Sequence, residues 1–217
     1  METERSFYEY LQSFSETRSP IDFMLIYDNL PRFFDGALVT LQLTFLALLV
    51  GGMIAVPLAI ARAYRKPFLS PAIRVYTYVF CGTPLLVQVY LFYFGLGQFT
   101  VVQESFLWEP ILSKPWWCVI IAFTLNTAAY TTEFLRGAIE ATPHGEVEAA
   151  KACGMSPFTR MRLVVLPNAF RRALPAYSNE VIFTLHGSVI ASTVTLQDLL
   201  GVCLLYTSDA ADDLLCV

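Results

Sequence analysis

Charge is what this sequence has little of. Only 15% of its residues are Asp, Glu, Lys or Arg, against roughly 25% in an ordinary soluble domain. Hydrophobic residues make up 56% and the mean hydropathy is +0.55, more apolar surface than the core of one 217-residue unit needs. A soluble enzyme is therefore the wrong starting point. The usual catalytic signatures are missing too. There is no GxxxxGK[ST] phosphate loop, so the chain is not expected to hydrolyse ATP itself, and there is no HExxH, GxSxG or clustered set of metal ligands. The five cysteines show no CxxC or CxxH spacing, and Cys81 and Cys118 fall in apolar segments, as small buried hydrophobes do. Residues 1–35 hold seven acids and three bases without a positive start followed by an apolar core, so no cleavable leader is expected there and the segment reads as an extracytoplasmic arm. Within the arm, SFYEYLQSF and DFMLIYDNLPRFF are candidate short amphipathic helices at the membrane face.

What is present is a set of long apolar runs. About 20 apolar residues cross a bilayer core. Four regions qualify: about Gly36 to Ala61, Ile73 to Gly97, Trp116 to Ile139, and Phe170 to Val194, the last being the most polar. Pro57, Pro84 and Pro175 lie inside them and read as kinks, since neighbouring helices satisfy the freed carbonyls. Trp116-Trp117 resembles an interfacial belt. The fold class is all-α, a polytopic transmembrane helical bundle occupying residues 36–202. Basic residues cluster between the first two spans (Arg62, Arg65, Lys66, Arg74). A second cluster lies between the last two (Arg136, Lys151, Arg160, Arg162, Arg171, Arg172), whereas the middle loop has only Lys114. The positive-inside rule then puts both basic loops in the cytoplasm and the N-terminus outside.

The second basic loop carries the most specific pattern, from Gly137 to Pro167. Thr142-Pro143 is a helix start, and Glu146 and Glu148 sit early, where acids suit the helix dipole. Ala149, Ala150, Lys151 and Ala152 favour helix, and Gly154 suits the left-handed residue that ends one. Ser156-Pro157 starts a second helix. The loop reads as helix, sharp turn, helix, with small side chains that let a partner surface approach. An ordinary surface hairpin is the plain alternative for Glu-Ala-Ala alone.

The spacing of Gly145, Glu148-Ala149-Ala150, Gly154 and Leu166-Pro167 resembles the EAA loop of ATP-binding-cassette importer permeases, with Val164 where that family usually has Ile. YTYVFCGTPLLVQ, LNTAAYTTE, TPHGEVEAAKACG and ALPAYSNEV are similar to polar-amino-acid permeases of the histidine/lysine/arginine/ornithine and opine type, nearest the subunit usually called M. The likeness runs from about Leu38 to Gly201; Cys81 departs from it, where Arg commonly precedes Gly-Thr-Pro. The resemblance implies a type I importer core of five helices and an inner-membrane location. It also implies a heterodimer with a sister permease, a periplasmic amino-acid-binding protein, and two ATPases docked on the EAA loop. ATP and Mg would be bound by the ATPase and no cofactor by this chain; lipid is a partner and nucleic acid is not. The function implied is import of polar, basic amino acids. Two other classes remain as alternatives. A secondary transporter is expected to show two related halves, and no internal repeat is seen; a non-transporting scaffold does not explain the loop spacing.

Charges inside a bilayer are costly and default to functional roles. Glu133 and Glu180 are the candidates, with Asn126 and Tyr130 on the helical face of Glu133, Asn179 beside Glu180, and Thr83 interrupting the second span. Either they line a translocation path and balance a cationic side chain, or they pair with Arg136, Arg171 or Arg172 and hold the bundle together. His186 has no partner at helical spacing and reads as a local packing residue; His144 reads as solvent-facing.

Residues 203–217, CLLYTSDAADDLLCV, do not continue the pattern. Read back into DNA, Cys203 to Asp212 resembles the adapter of transposon-based sequencing libraries. The expectation is that the native sequence leaves off at about Val202 and that the last core helix is missing.

Overall fold

In the computed structural model the described residues are Tyr27, 29–64, 67–106 and 108–205, with the side chain of Pro110 set aside. Most of the N-terminal arm, including both of its candidate amphipathic helices up to Asp28 apart from Tyr27, lies outside them, as do residues 206–217. All regular structure among the described residues is helical. Helix α1 spans Leu30–Ala63, opening with a proline in its first turn ahead of the apolar run. Helix α2 is Leu69–Gly82, and α3 is Leu85–Gln98, which loosens into a π turn at Leu91–Gly95. Helix α4 is Pro115–Glu140 and α5, in the loop, is His144–Ala152. Helix α6 runs from Pro157 through Gly187 and tightens into a 3-10 stretch at Ser188–Val194. The short α7 is Leu199–Leu205.

Among the described residues two helices, α1 and α4, are each long and apolar enough to cross a membrane; the count reaches four if each bent pair is one span. The second apolar run is therefore not a simple kinked helix. It breaks at Thr83-Pro84, and α2 and α3 diverge by 106°. A residue before proline is pushed to extended geometry, and Thr83 sits at φ −109°, ψ 141°. Pro84 then starts α3 instead of bending α2. The last region differs as well. The second loop helix and the fourth span are one continuous α6, which meets α7 at 49°.

The core is the α1–α4 interface. Ala47, Gly51, Ala55 and Ala59 recur every fourth residue along α1 and are all buried. Small residues let membrane helices approach closely. A Cβ on Gly51 would sit 3.1 Å from the Thr124 carbonyl oxygen and from Thr127 Cγ2, tighter than ordinary packing. Two apolar clusters flank this seam. Leu43, Ala47, Val89, Val119 and Phe123 join α1, α3 and α4 with the end of α6 at Ala191 and Val194. At the opposite end, Ala59, Leu135, Ile139, Val165 and Ala169 join α1, α4 and α6, and Val147 of α5 packs on them.

Candidate functional site: an acid-lined cavity and the loop beneath it

The break between α2 and α3 leaves the last carbonyls of α2 without helical partners, and such groups need donors when water is excluded. Side chains supply them. Gln88, itself buried, donates to Phe80 O at 2.8 Å, Thr83 O at 3.0 Å and Thr83 Oγ1 at 2.8 Å. Asn126 of α4 donates to Gln88 Oε1 at 3.1 Å and Phe80 O at 3.3 Å. Tyr130 donates to Cys81 O at 3.1 Å, and Thr83 donates back to Val79 O at 2.8 Å. Asn126, Tyr130 and Thr83 thus share a structural role, fixing an interrupted helix against α4.

Beside this break lies a cavity of about 800 Å³ between α3, α4 and α6. Thr83, Asn126, Tyr130, Asn179 and Glu180 all line it, so the structure brings together five of the six candidate path residues. Glu180 is 6% exposed, with the hydroxyls of Thr127 and Thr184 facing its carboxyl group. No ion pair to Glu180 forms among the described residues. The apolar walls are Phe123, Phe134, Phe183 and Ile190. His186 also lines the cavity, a placement that the local-packing reading did not foresee. Thr127 and Thr184 were legible only as spacing: Thr127, Tyr130 and Phe134 repeat on one face of α4, as Glu180, Thr184 and Gly187 do on α6.

Glu133 is the exception among the six candidates, and its surroundings fit the pairing alternative and not the path. It does not line the cavity. Its carboxylate is ion-paired with Arg62 of α1 and, at 3.2 Å, with Arg136 one turn on. Arg62 also donates to Thr77 of α2 at 3.0 Å, and Arg136 reaches Glu140 at 2.6 Å. Glu133 therefore ties α1, α2 and α4 together at the loop end of the bundle. Arg136 belongs to the expected partner set Arg136, Arg171 and Arg172, whereas Arg62, on another helix, does not.

The loop itself follows the expected grammar closely. Pro143 caps α5 from outside the helix at φ −58°, ψ 130°, instead of occupying the first turn. At the other end Gly154 takes φ +74°. The amide of Met155 donates to Ala150 O at 3.1 Å and that of Gly154 to Lys151 O at 2.9 Å, the paired bonds of a Schellman ending. Ser156 Oγ then accepts from Thr159 N at 3.2 Å and caps α6, with Pro157 in its first turn. Gly145, Glu148 and Ala149 are exposed, while Ala150 is buried. A Cβ on Gly145 or Gly154 would meet nothing within 4 Å. Leu166-Pro167 lies within α6 just after a π turn at Met161–Val165. Pro167 has no amide hydrogen to give the preceding turn, and the wider turn before it fits that deficit.

A bundle with an interrupted helix, a cavity between helices that holds a buried glutamate, and an exposed helix–turn–helix loop defines a transport subunit. Residues 36–210 match the family described as binding-protein-dependent transport system inner membrane component, and the chain belongs to that family. It is 42% identical over 183 residues to the octopine transport system permease protein OccM of Rhizobium radiobacter, covering 84% of this chain and 74% of that one. It is 45% identical over 169 residues to the histidine/lysine/arginine/ornithine transport system permease protein HisM of Salmonella typhimurium, covering 78% and 72%. The crystal structure of an amino acid ABC transporter with histidines superposes with a TM-score of 0.71 at 34% identity, over 82% of this chain and 79% of that one. The MetNI methionine ABC transporter in an inward-facing conformation shares the fold, with a TM-score of 0.63 at 20% identity over 77% and 76%. The chain is thus an inner-membrane permease subunit that works with an ATPase and a substrate-binding protein, and hydrolysis belongs to the ATPase. The secondary-transporter and scaffold readings give way to this one.

Proposed function

We propose that this subunit passes polar amino acids with a cationic side chain, and that Glu180 is the residue that reads the charge. The observation carrying this is the buried Glu180 carboxyl, set in the cavity wall without an ion-pair partner among the described residues. A buried, uncompensated carboxylate is costly, and a passing ammonium or guanidinium offsets that cost. The names of the relatives, which specify octopine and histidine/lysine/arginine/ornithine, support the same class. Asn126, Tyr130, Asn179 and Thr83 supply neutral hydrogen-bonding groups along the wall.

The partner arrangement belongs to the same reading. The ATPase docks on the loop through Glu148, Ala149 and the turn at Gly154, with Gly145, Ala150, Leu166 and Pro167 shaping its frame. ATP and Mg stay with the ATPase. A paralogous sister permease completes the pathway, a periplasmic binding protein delivers the solute, and the N-terminus faces outward by the loop-charge asymmetry. Cys203–Val217 is foreign to the native sequence on its likeness to adapter DNA, although the family match runs on to residue 210. Resequencing across the codon of Val202 decides this, and a natural stop after Val217 sinks it.

The test of charge reading is uptake into proteoliposomes containing the assembled complex. Glu180→Gln is expected to lower lysine transport by about tenfold or more, equivalent to about 1.4 kcal/mol, while glutamine transport changes by less than about twofold. Equal losses for both solutes would sink the charge-reading role.

A further inference from the structure

The coupling loop is fastened to α6 by a polar chain separate from the apolar contacts of Val147. Asn168 Nδ2 donates to Glu146 Oε2 of α5 at 2.5 Å. Arg172 Nε donates to Asn168 Oδ1 at 3.1 Å, and Arg172 Nη1 to the carbonyl oxygen of Ala141 at 2.9 Å. Three segments meet here: the end of α4, the loop helix α5, and α6. Asn168 and Arg172 are one helical turn apart, so both project from one face of α6. That same helix carries Asn179, Glu180, Phe183 and Thr184 into the cavity wall.

We infer that Glu146, Asn168 and Arg172 form a clasp that transmits movement of the loop helix to α6, making them positioning residues for transport. The inference rests on the proposed docking of the ATPase on this loop. Its physical basis is the layout of contacts. Glu146, Glu148 and Ala149 are all exposed on this short helix, but of the three it is Glu146 that is engaged from α6. A push on α5 therefore has two routes into the bundle, soft packing through Val147 and directional bonds through Asn168. Hydrogen bonds to a carboxylate and from a guanidinium are stronger and more directional than neutral ones. Because α6 has no break from Pro157 to Gly187, with Pro175 inside it between Asn168 and Glu180, displacement at Asn168 reaches Glu180 through one helix and not through a linker.

The experiment uses the complete complex in proteoliposomes and measures ATP hydrolysed per solute transported, together with the amount of ATPase retained on purification. Asn168→Ala and Arg172→Gln are expected to keep the ATPase bound yet raise the ATP-to-solute ratio at least about fivefold, the lower end of ordinary coupling between sites. The exchange Glu146→Asn with Asn168→Glu restores a carboxylate–amide pair and is expected to bring the ratio back to within about twofold of wild type, as interacting neighbours do in a double-mutant cycle. An unchanged ratio in the single variants overturns the clasp, and so does loss of the ATPase from them, since the residues would then belong to docking. The combined variant Glu148→Arg, Ala149→Arg and Gly154→Ala separates the two readings: if it leaves the ATPase bound, the docking proposal fails whatever the clasp variants show.

Discussion

The amide of Gln88 donates to both the backbone oxygen and the hydroxyl of Thr83, holding the start of α3 against the end of α2. It also satisfies Phe80 O. One buried side chain therefore closes most of the helix break. Gln88→Leu is expected to destabilise the purified complex by about 1 kcal/mol, the cost of leaving half-buried carbonyls unpaired, read as a lowered Tm. Gln88→Glu, which places acceptors against acceptors when ionised, should cost more. An unchanged Tm in both would show that packing alone keeps the break in shape.

Glu133 and Glu180 are both acids within apolar spans, but the structure gives them different work. Glu133→Gln leaves Arg62, 12% exposed, without its carboxylate partner. The expected loss is about 1–3 kcal/mol of stability, below the 3–5 kcal/mol of a fully buried pair because Glu133 is 29% exposed. Lysine-to-glutamine preference in uptake should stay at the wild-type value. A shift in that preference matching Glu180→Gln would return Glu133 to the path.

Gly154→Ala isolates backbone strain in the loop. The new Cβ meets no atom within 4 Å, but φ is +74°. The left-handed conformation costs a non-glycine residue roughly 1–2 kcal/mol, enough to tilt this exposed turn toward another geometry. Far less ATPase should co-purify, while the Tm of the membrane portion stays near wild type. Full ATPase retention would mean the turn is not part of the docking surface.

Legibility from sequence followed the range of the interactions. The loop was readable because its rules are local: Gly154 ends α5, and Ser156 and Pro157 begin α6, all within a few residues. The break at Thr83 was visible as a proline but not as a 106° turn. Hydropathy sees one apolar run, while the donors that permit the break come from Gln88 and from Asn126 on another helix. The pairing of Glu133 was readable only in part for the same reason. Spacing on α4 pointed to Arg136, which is correct, but Arg62 is 71 residues away and only the fold brings it near. The small-residue stripe on α1 was hidden because hydropathy counts alanine and glycine without asking which face they share.

The break also bears on how the chain enters the bilayer during synthesis. Helix α2 has 14 residues, about 21 Å at 1.5 Å per residue, short of the roughly 30 Å hydrocarbon core. It emerges before Asn126 and Tyr130 exist to shield its final carbonyls. Gln88 follows within two turns, but the α4 donors arrive only after the intervening loop has been made. The two half-helices are thus poor solitary clients for a membrane insertase. They are expected to enter lipid together with α4, as a three-piece unit whose topology is settled only once the later helix has been translated.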